Sequence, residues 1–287
     1  MSTVKSNKSL LKAISIIKVF SHEKPELGPS EISREIGMPT ATTHRILATL
    51  LKGGLLEKNP TTGKYRIGPE FYLIGNLYLE TTDILRIADP VMETLNELTG
   101  EAVNLSMFDK GNITLVMKKE SKHAFRISAR IGTSMPAYSS AMGKAFLNEL
   151  NNNELDKLYP EEILRPVTRK TVSNKTELKD DLKRIKKHGI SYDWEGSYEG
   201  ILGVAALIRD NSSHAVAGLS ITLPIIRTDH VYNKRIGKLI KMAASLISYR
   251  IGYKYTTNPI RNVQEIATWW NGNKVDKKSR KEVMNIQ

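Results

Sequence analysis

The chain has 287 residues, 40% apolar and 25% charged, a balance that suits a globular protein with room for two ordinary cores. No run approaches the ~18 apolar residues of a membrane span, and the basic, amphipathic N-terminus lacks a signal-cleavage pattern, so a cytoplasmic address is the expectation. With no cysteine and six scattered histidines, disulfides, thiol catalysis and thiolate zinc sites are excluded, and neither a metal site nor a cofactor is expected.

The net charge of +13 gathers at the two ends: residues 1–70 hold 11 Lys/Arg against 6 Asp/Glu, and residues 254–287 hold 7 against 3. Basic ends suit a polyanion such as double-stranded DNA, although charge alone serves solubility equally well. Residues 9–20, "SLLKAISIIKVF", put Leu10, Ala13, Ile14, Ile17 and Phe20 on one helical face. Pro29 and Ser30 open a second short helix that Gly37 is placed to end. A third starts at Met38-Pro39-Thr40, runs to about Leu51 and stops at Gly53-Gly54. "LLEKNPTTGKYRIG" then reads as a β-hairpin around Asn59–Gly63.

Three helices and a hairpin make a winged helix-turn-helix, here assigned to residues 1–69. On the third helix Thr43, Ile46, Leu47 and Leu50 face the core, leaving Thr40, Ala41, Thr42, His44, Arg45 and Ala48 outside. Short hydroxyls bond phosphate or base edges, and Arg takes guanine in two bonds. The candidate DNA contacts are therefore Ser30, Thr40, Ala41, Thr42, His44 and Arg45, with Lys58, Lys64 and Arg66 on the wing. The bland alternative is a helix pair in an ordinary core with Arg45 merely solvated.

Residues 70–89 read as a linker, one long helix or two joined ones, whose apolar excess (Leu73, Ile74, Leu77, Ile84) suggests packing on a partner chain or on the chain's own second domain. At Pro90 the texture changes, and residues 90–254 alternate amphipathic helices with hairpins. "PVMETLNELTG" is a helix, "AVNLSMFDKGNITLVMKKE" two strands, and "FRISARIGTSMPAY" a further strand and a loop. "SSAMGKAFLNEL" is a helix capped by Ser139 or Ser140, and "KTELKDDLKRIKKHG" a helix stopped by Gly189. Strands "GILGVAALIRD" and "AVAGLSITLP" precede a last helix at about 228–249. The fold class is α+β, an antiparallel sheet flanked by helices, followed by a basic tail at 255–287 in which Trp269-Trp270 can pack on the domain or a partner.

No catalytic residue emerges. "YSSAMGKAF" resembles the end of a phosphate-binding loop, but Tyr138 replaces its first glycine and Ala145 its Ser/Thr. "EGSYEG" is not a nucleophile elbow. The acidic cluster Asp193, Glu195 and Glu199 has no partner identifiable from spacing. A pocket is more plausible: Ser139 and Ser140 at a helix start, Asp193 beyond the charged helix, and Ser220 and Thr222 on one face of a strand. That face is either a solvated one or an inner one whose hydroxyls need a partner.

Along roughly residues 8–252 the chain resembles the IclR family of bacterial transcriptional regulators. The resemblance rests on "SLLKAISIIKVF", "PSEISREIGMPTATTHRILATL", "GKYRIGPEFYLIG", "GTSMPAYSSAMGKAFL" and "HGISYDWEGSYEGILGVAALIRD", in family order. It implies a winged helix, a linker helix and a GAF-like effector domain, in homodimers or homotetramers on palindromic operators. It also implies an effector pocket at Ser139, Ser140, Ala141, Asp193, Ser220 and Thr222 for a small organic, sugar or aromatic acid. Gly203 stands where many members have cysteine, and Leu207 where they have proline, so a roomier pocket is expected there. Two rivals stand beside this reading: an enzyme using the acidic cluster, told apart by turnover, and an architectural DNA binder, told apart by equal affinity for operator and random DNA.

Overall fold

The computed structural model describes residues 7–21, 23–81, 83–124, 129–254 and 260–273. Two compact units share the chain, Met1–Thr82 and Asp83–Gln287.

The first unit packs α1 (Lys8–Lys18), α2 (Pro29–Glu35) and α3 (Thr40–Lys52) beside the hairpin β1 (Leu56–Lys58) and β2 (Tyr65–Ile67), and ends in α4 (Glu70–Thr81). Asn7 caps α1 by accepting from the Ser9 amide at 3.0 Å. Between α2 and α3 the chain turns at Gly37, whose φ of +61° is the left-handed conformation that glycine adopts without steric cost. The core is Ile16, Leu27, Ile32, Leu47, Leu50, Leu56 and Tyr65. The expected face of α1 is thereby corrected. Ile16, with Ala13, Ile17 and Phe20, points inward, whereas Leu10 and Ile14 join Leu11 on an exposed stripe. The reason is that only the C-terminal half of α1 meets the rest of this small core.

In the second unit, six antiparallel strands lie in the order β5-β4-β3-β8-β7-β6. They are β3 (Ala102–Asp109), β4 (Asn112–Lys119), β5 (Ser134–Pro136), β6 (Ser191–Trp194), β7 (Ile201–Arg209) and β8 (Ala215–Pro224). One face packs on α5 (Asp83–Thr99), α9 (His230–Arg250) and α10 (Val263–Gly272). The other carries α6 (Ala141–Leu147), α7 (Asn152–Leu158) and α8 (Lys175–His188), the last ended by Gly189 at φ +66°.

Three expectations change. Pro90 lies inside α5 and opens nothing. Its missing N–H costs one helical bond, but Leu85, Ala88, Met92 and Leu95 run past it on one buried face that holds the helix together. The stretch beyond 254 is more than a basic tail, because α10 buries Ile266 and Trp270 in the core, with the Arg235 guanidinium 3.9 Å from the Trp270 ring centroid. The sequence reading also left out α7 and β6, both too short for periodicity to register. The strand expected at "FRIS" falls on residues 125–128, outside the described residues.

Candidate DNA-reading face and ligand pocket

The α3 surface divides by helical period. Thr43, Leu47 and Leu50 are buried, while Thr40, Ala41, His44, Arg45 and Ala48 are exposed and Thr42 is half-buried. Ser33 tightens the turn into α3, donating to the Met38 carbonyl and lying 3.2 Å from the Thr40 hydroxyl. Ser30, at the start of α2, is exposed. One short helix thus presents two hydroxyls, an imidazole and a guanidinium to solvent, and the alternative of a sealed helix pair does not describe this geometry.

The wing differs from expectation. Lys64 Nζ lies 3.1 Å from Glu31, and Arg66 is paired with Glu57 and with Glu26 at 3.5 Å. The Gly28 amide and then Lys64 hold the Glu31 carboxyl below its ordinary range; Asn59 does most of the same for Glu26. Two of the three wing cations therefore already face carboxylates: Lys64 meets Glu31 from 33 residues away and Arg66 meets Glu26 from 40 away, while Glu57 sits opposite Arg66 on the hairpin itself. Lys58 is exposed, its ammonium 5.8 Å from the Tyr65 ring centroid.

The pocket lies on the sheet face opposite α9. Along β8, Leu219, Ile221 and Leu223 enter the α5–α9 core, while Ser220 and Thr222 turn to the other side. Ser220 is only 2% exposed, so that side is an interior, not a solvated face. Ser140, Ala141, Gly203, Ser220 and Thr222 all line the cavity. Ser140 is the cap of α6, accepting from the Gly143 amide at 3.1 Å. A Cβ on Gly203 would lie 3.4 Å from the Ala141 Cβ, an ordinary contact, so the glycine widens the cavity floor without being forced by crowding.

Two expected residues lie outside the lining. Ser139 is fully buried and donates to the Pro136 carbonyl at 2.8 Å. Asp193, 1% exposed, faces Lys144 Nζ at 3.2 Å and accepts from the Ser197 amide and hydroxyl at 3.1 and 3.2 Å. Burial raises the Asp193 carboxyl above its ordinary range, and Lys144 only partly opposes it. Lys144 also bonds Asp181 at 3.0 Å, which gives the lysine of the phosphate-loop lookalike a structural task. Asp193 thus reaches the cavity only through Ser197, which does line it.

Residues the sequence reading missed complete the wall: Asn104 and Ser106 from β3, Lys118 from β4, Thr133, and Ser197 and Tyr198 after β6. The Lys118 side chain is 5% exposed, its ammonium 2.9 Å from the Ala129 carbonyl and 2.9 Å from Glu120. Asn104 donates to the Thr222 hydroxyl at 3.2 Å, and its own carbonyl oxygen is buried without a hydrogen-bond partner. The Lys118 ammonium can meet a ligand's carboxylate, whereas the Asn104 oxygen is an acceptor and needs a donor such as a hydroxyl, so a hydroxy acid would complete the arrangement. The space between atoms is about 650 Å³ counting the open mouth, with about 70 Å³ for the centres of water molecules.

Comparison with known proteins finds a match for each of the two units. Residues 9–60 match the IclR helix-turn-helix domain, and residues 76–249 match the C-terminal domain of the bacterial transcriptional regulator IclR. The chain is 28% identical over 246 residues to the transcriptional repressor IclR of Escherichia coli K12, covering 85% of this chain and 90% of that one. The crystal structure of Thermotoga maritima IclR superposes with a TM-score of 0.65 at 26% identity, covering 85% of this chain and 99% of that one. An IclR homologue from Microbacterium hydrocarbonoxydans, complexed with 4-hydroxybenzoate, shares the fold with a TM-score of 0.73 at 21% identity, over 85% and 99% of the two chains. With its exposed reading helix and its ligand-sized cavity, the chain belongs to the IclR family and is a DNA-binding transcriptional regulator.

Proposed function

We propose that the protein is a ligand-responsive repressor that grips a palindromic operator as a homodimer or a pair of dimers, and releases or tightens its grip when a short organic anion enters the cavity. Repression is the mode named for its Escherichia coli relative, and a DNA-bound regulator works in the cytoplasm. Pairing is supported by the apolar side chains that the N-terminal unit leaves exposed, Leu10, Leu11 and Ile14 on α1 and Tyr72, Leu73, Ile74 and Leu77 on α4. Two readers on one duplex also fix half-site spacing. We read the acidic cluster as structural, since Asp193 is committed to Lys144 and Ser197, and no catalytic role is assigned to it.

The observation that carries the ligand class is Lys118, a cation held in the cavity wall beside the unsatisfied oxygen of Asn104. The cavity is small, with about 70 Å³ open to the centres of water molecules, which suits a short hydroxy acid. The Microbacterium homologue is complexed with 4-hydroxybenzoate, so aromatic acids belong in the same test. A thermal-shift series of short keto, hydroxy, sugar and aromatic acids tests this on the full chain, followed by an operator gel shift with each stabilising acid. Short acids should raise Tm and change operator affinity. Lys118→Ala should weaken their binding by about 1.5–3 kcal/mol, the worth of a hydrogen bond to a charged group. Stabilisation by no acid, or equal binding by the variant, refutes the assignment.

A further inference from the structure

The C-terminal unit has a second, wider cleft, formed by α8, β6 and the N-terminal half of α9, away from the cavity just described. It offers about 870 Å³ to the centres of water molecules, against about 70 Å³ in the effector cavity. Its walls are basic. Lys170, Lys234 and Lys238 are exposed there, and among the described residues no carboxylate lies within ion-pair distance of their ammonium groups. His188 and His230 add two imidazoles at the rim. The acids of the cleft are engaged: Asp181 binds Lys144 and Arg184, and Asp229 caps α9 by accepting from the Tyr232 amide at 2.7 Å. The imbalance leaves a field suited to more than one negative charge.

Two further features concern shape and polarity. Trp194, the last residue of edge strand β6, lines the cleft with 49% of its surface exposed. An exposed indole among lysines is a platform for a flat, electron-rich ring. The β6 edge is pinned beside α9 because the Tyr192 hydroxyl donates to the Asn233 backbone carbonyl at 3.3 Å. That approach requires Gly237, where a Cβ would stand 2.1 Å from the Tyr192 hydroxyl oxygen. Asn233 also lines the cleft, is 7% exposed, and its side-chain oxygen is buried with no hydrogen-bond partner. That oxygen is sealed from the cleft and offers a ligand no acceptor.

From an exposed indole and exposed ammonium groups without carboxylate partners among the described residues, gathered in one basic cleft, we infer a second ligand site that takes a nucleotide carrying several phosphates. The base stacks on Trp194, and the phosphates lie between Lys170 and Lys234, with Lys238 held over the Trp269 ring at 4.9 Å beside them. The site is separate from the organic-acid cavity and does not depend on it. It gives the regulator an input set by nucleotide level.

Calorimetric titration of the full-length protein with ATP, and in parallel with inorganic pyrophosphate and adenosine, tests the site. ATP is expected to bind more tightly than pyrophosphate by roughly five- to a hundredfold, the contribution of one stacked base. Trp194→Ala should remove most of that advantage. The double variant Lys170→Glu/Lys234→Glu, with both changes at exposed positions that leave the core intact, should weaken ATP by roughly tenfold or more while Lys118→Ala leaves it unchanged. Absence of ATP binding overturns the inference. So does equal affinity for ATP and pyrophosphate, which shows a polyanion patch without a base site. ATP binding that survives the double lysine variant, or that is lost with Lys118→Ala, places the ligand elsewhere and overturns it as well.

Discussion

The reading face and the effector cavity are built in opposite ways. The face is a single element: Thr40 to Arg45 is one run of α3, and its chemistry is exposed because helical period turns it away from Thr43 and Leu47. The cavity draws on β3, β4, β7, β8, the start of α6 and the loop after β6, and its polar groups are buried. A surface reader can lose a side chain at little structural cost. Charges in the interior must be balanced by fixed partners, as Lys144 balances Asp193 behind the cavity wall, with half-buried Asp181 on its other side.

The largest effect that sharpens this contrast is on stability. Lys144→Ala leaves Asp193 as a buried charge without its cation and should cost about 3–5 kcal/mol in urea unfolding. A loss under about 1 kcal/mol would mean that the pair behaves like a surface one. Arg45→Ala, on the exposed side, should leave unfolding unchanged and weaken operator binding by about 1–3 kcal/mol in a gel-shift titration. Unaltered operator affinity removes Arg45 from the interface.

A smaller difference separates the wing cations. Lys58→Ala should flatten the salt dependence of operator binding by about 0.9 in log–log slope, the value of one phosphate contact. Lys64→Ala should flatten it less, since Glu31 already answers that charge at 3.1 Å. Identical slopes for the two variants break the distinction.

The smallest effect is in pH. The Glu31 carboxyl is lowered from its ordinary 4.5, chiefly by the Gly28 amide, so the folded unit holds fewer protons than the unfolded chain. Its stabilisation is full above pH 4.5 and fades as pH falls through the lowered folded value. Asp193 runs the other way. Raised by burial from 3.8, it favours the folded state at low pH and becomes a cost as pH rises through its folded value. Thermal unfolding of Glu31→Gln between about pH 3 and 6 should therefore show a shallower loss towards acid than the parent, the Glu31 window lying at and below its ordinary pKa. An unchanged acid limb would exclude Glu31 as a contributor.

Much of the fold was written locally. Gly37, Gly53 and Gly189 mark helix ends, Asn59–Gly63 marks the hairpin, and the run of Val, Ile and Leu in β7 and β8 marks buried strands. The sequence by itself also determined the outward side of α3, because a helix has one period and Thr43, Leu47 and Leu50 fix its phase. What only the tertiary structure decided is pairing across distance. Lys64 met Glu31, Arg66 met Glu26 besides its hairpin neighbour Glu57, and Asp193 met Lys144. Lys118 is the sharpest case. Counting by twos from Ile113 and Leu115 leads to Met117, which would leave Lys118 on the far face. The register slips between Leu105 and Ser106: Leu105 opposes Met117, Ser106 opposes Leu115, and Val116 is the extra residue. That bulge reverses the alternation and brings Lys118 opposite Asn104, on the cavity side, which depends on how two strands pair and on nothing either strand carries alone.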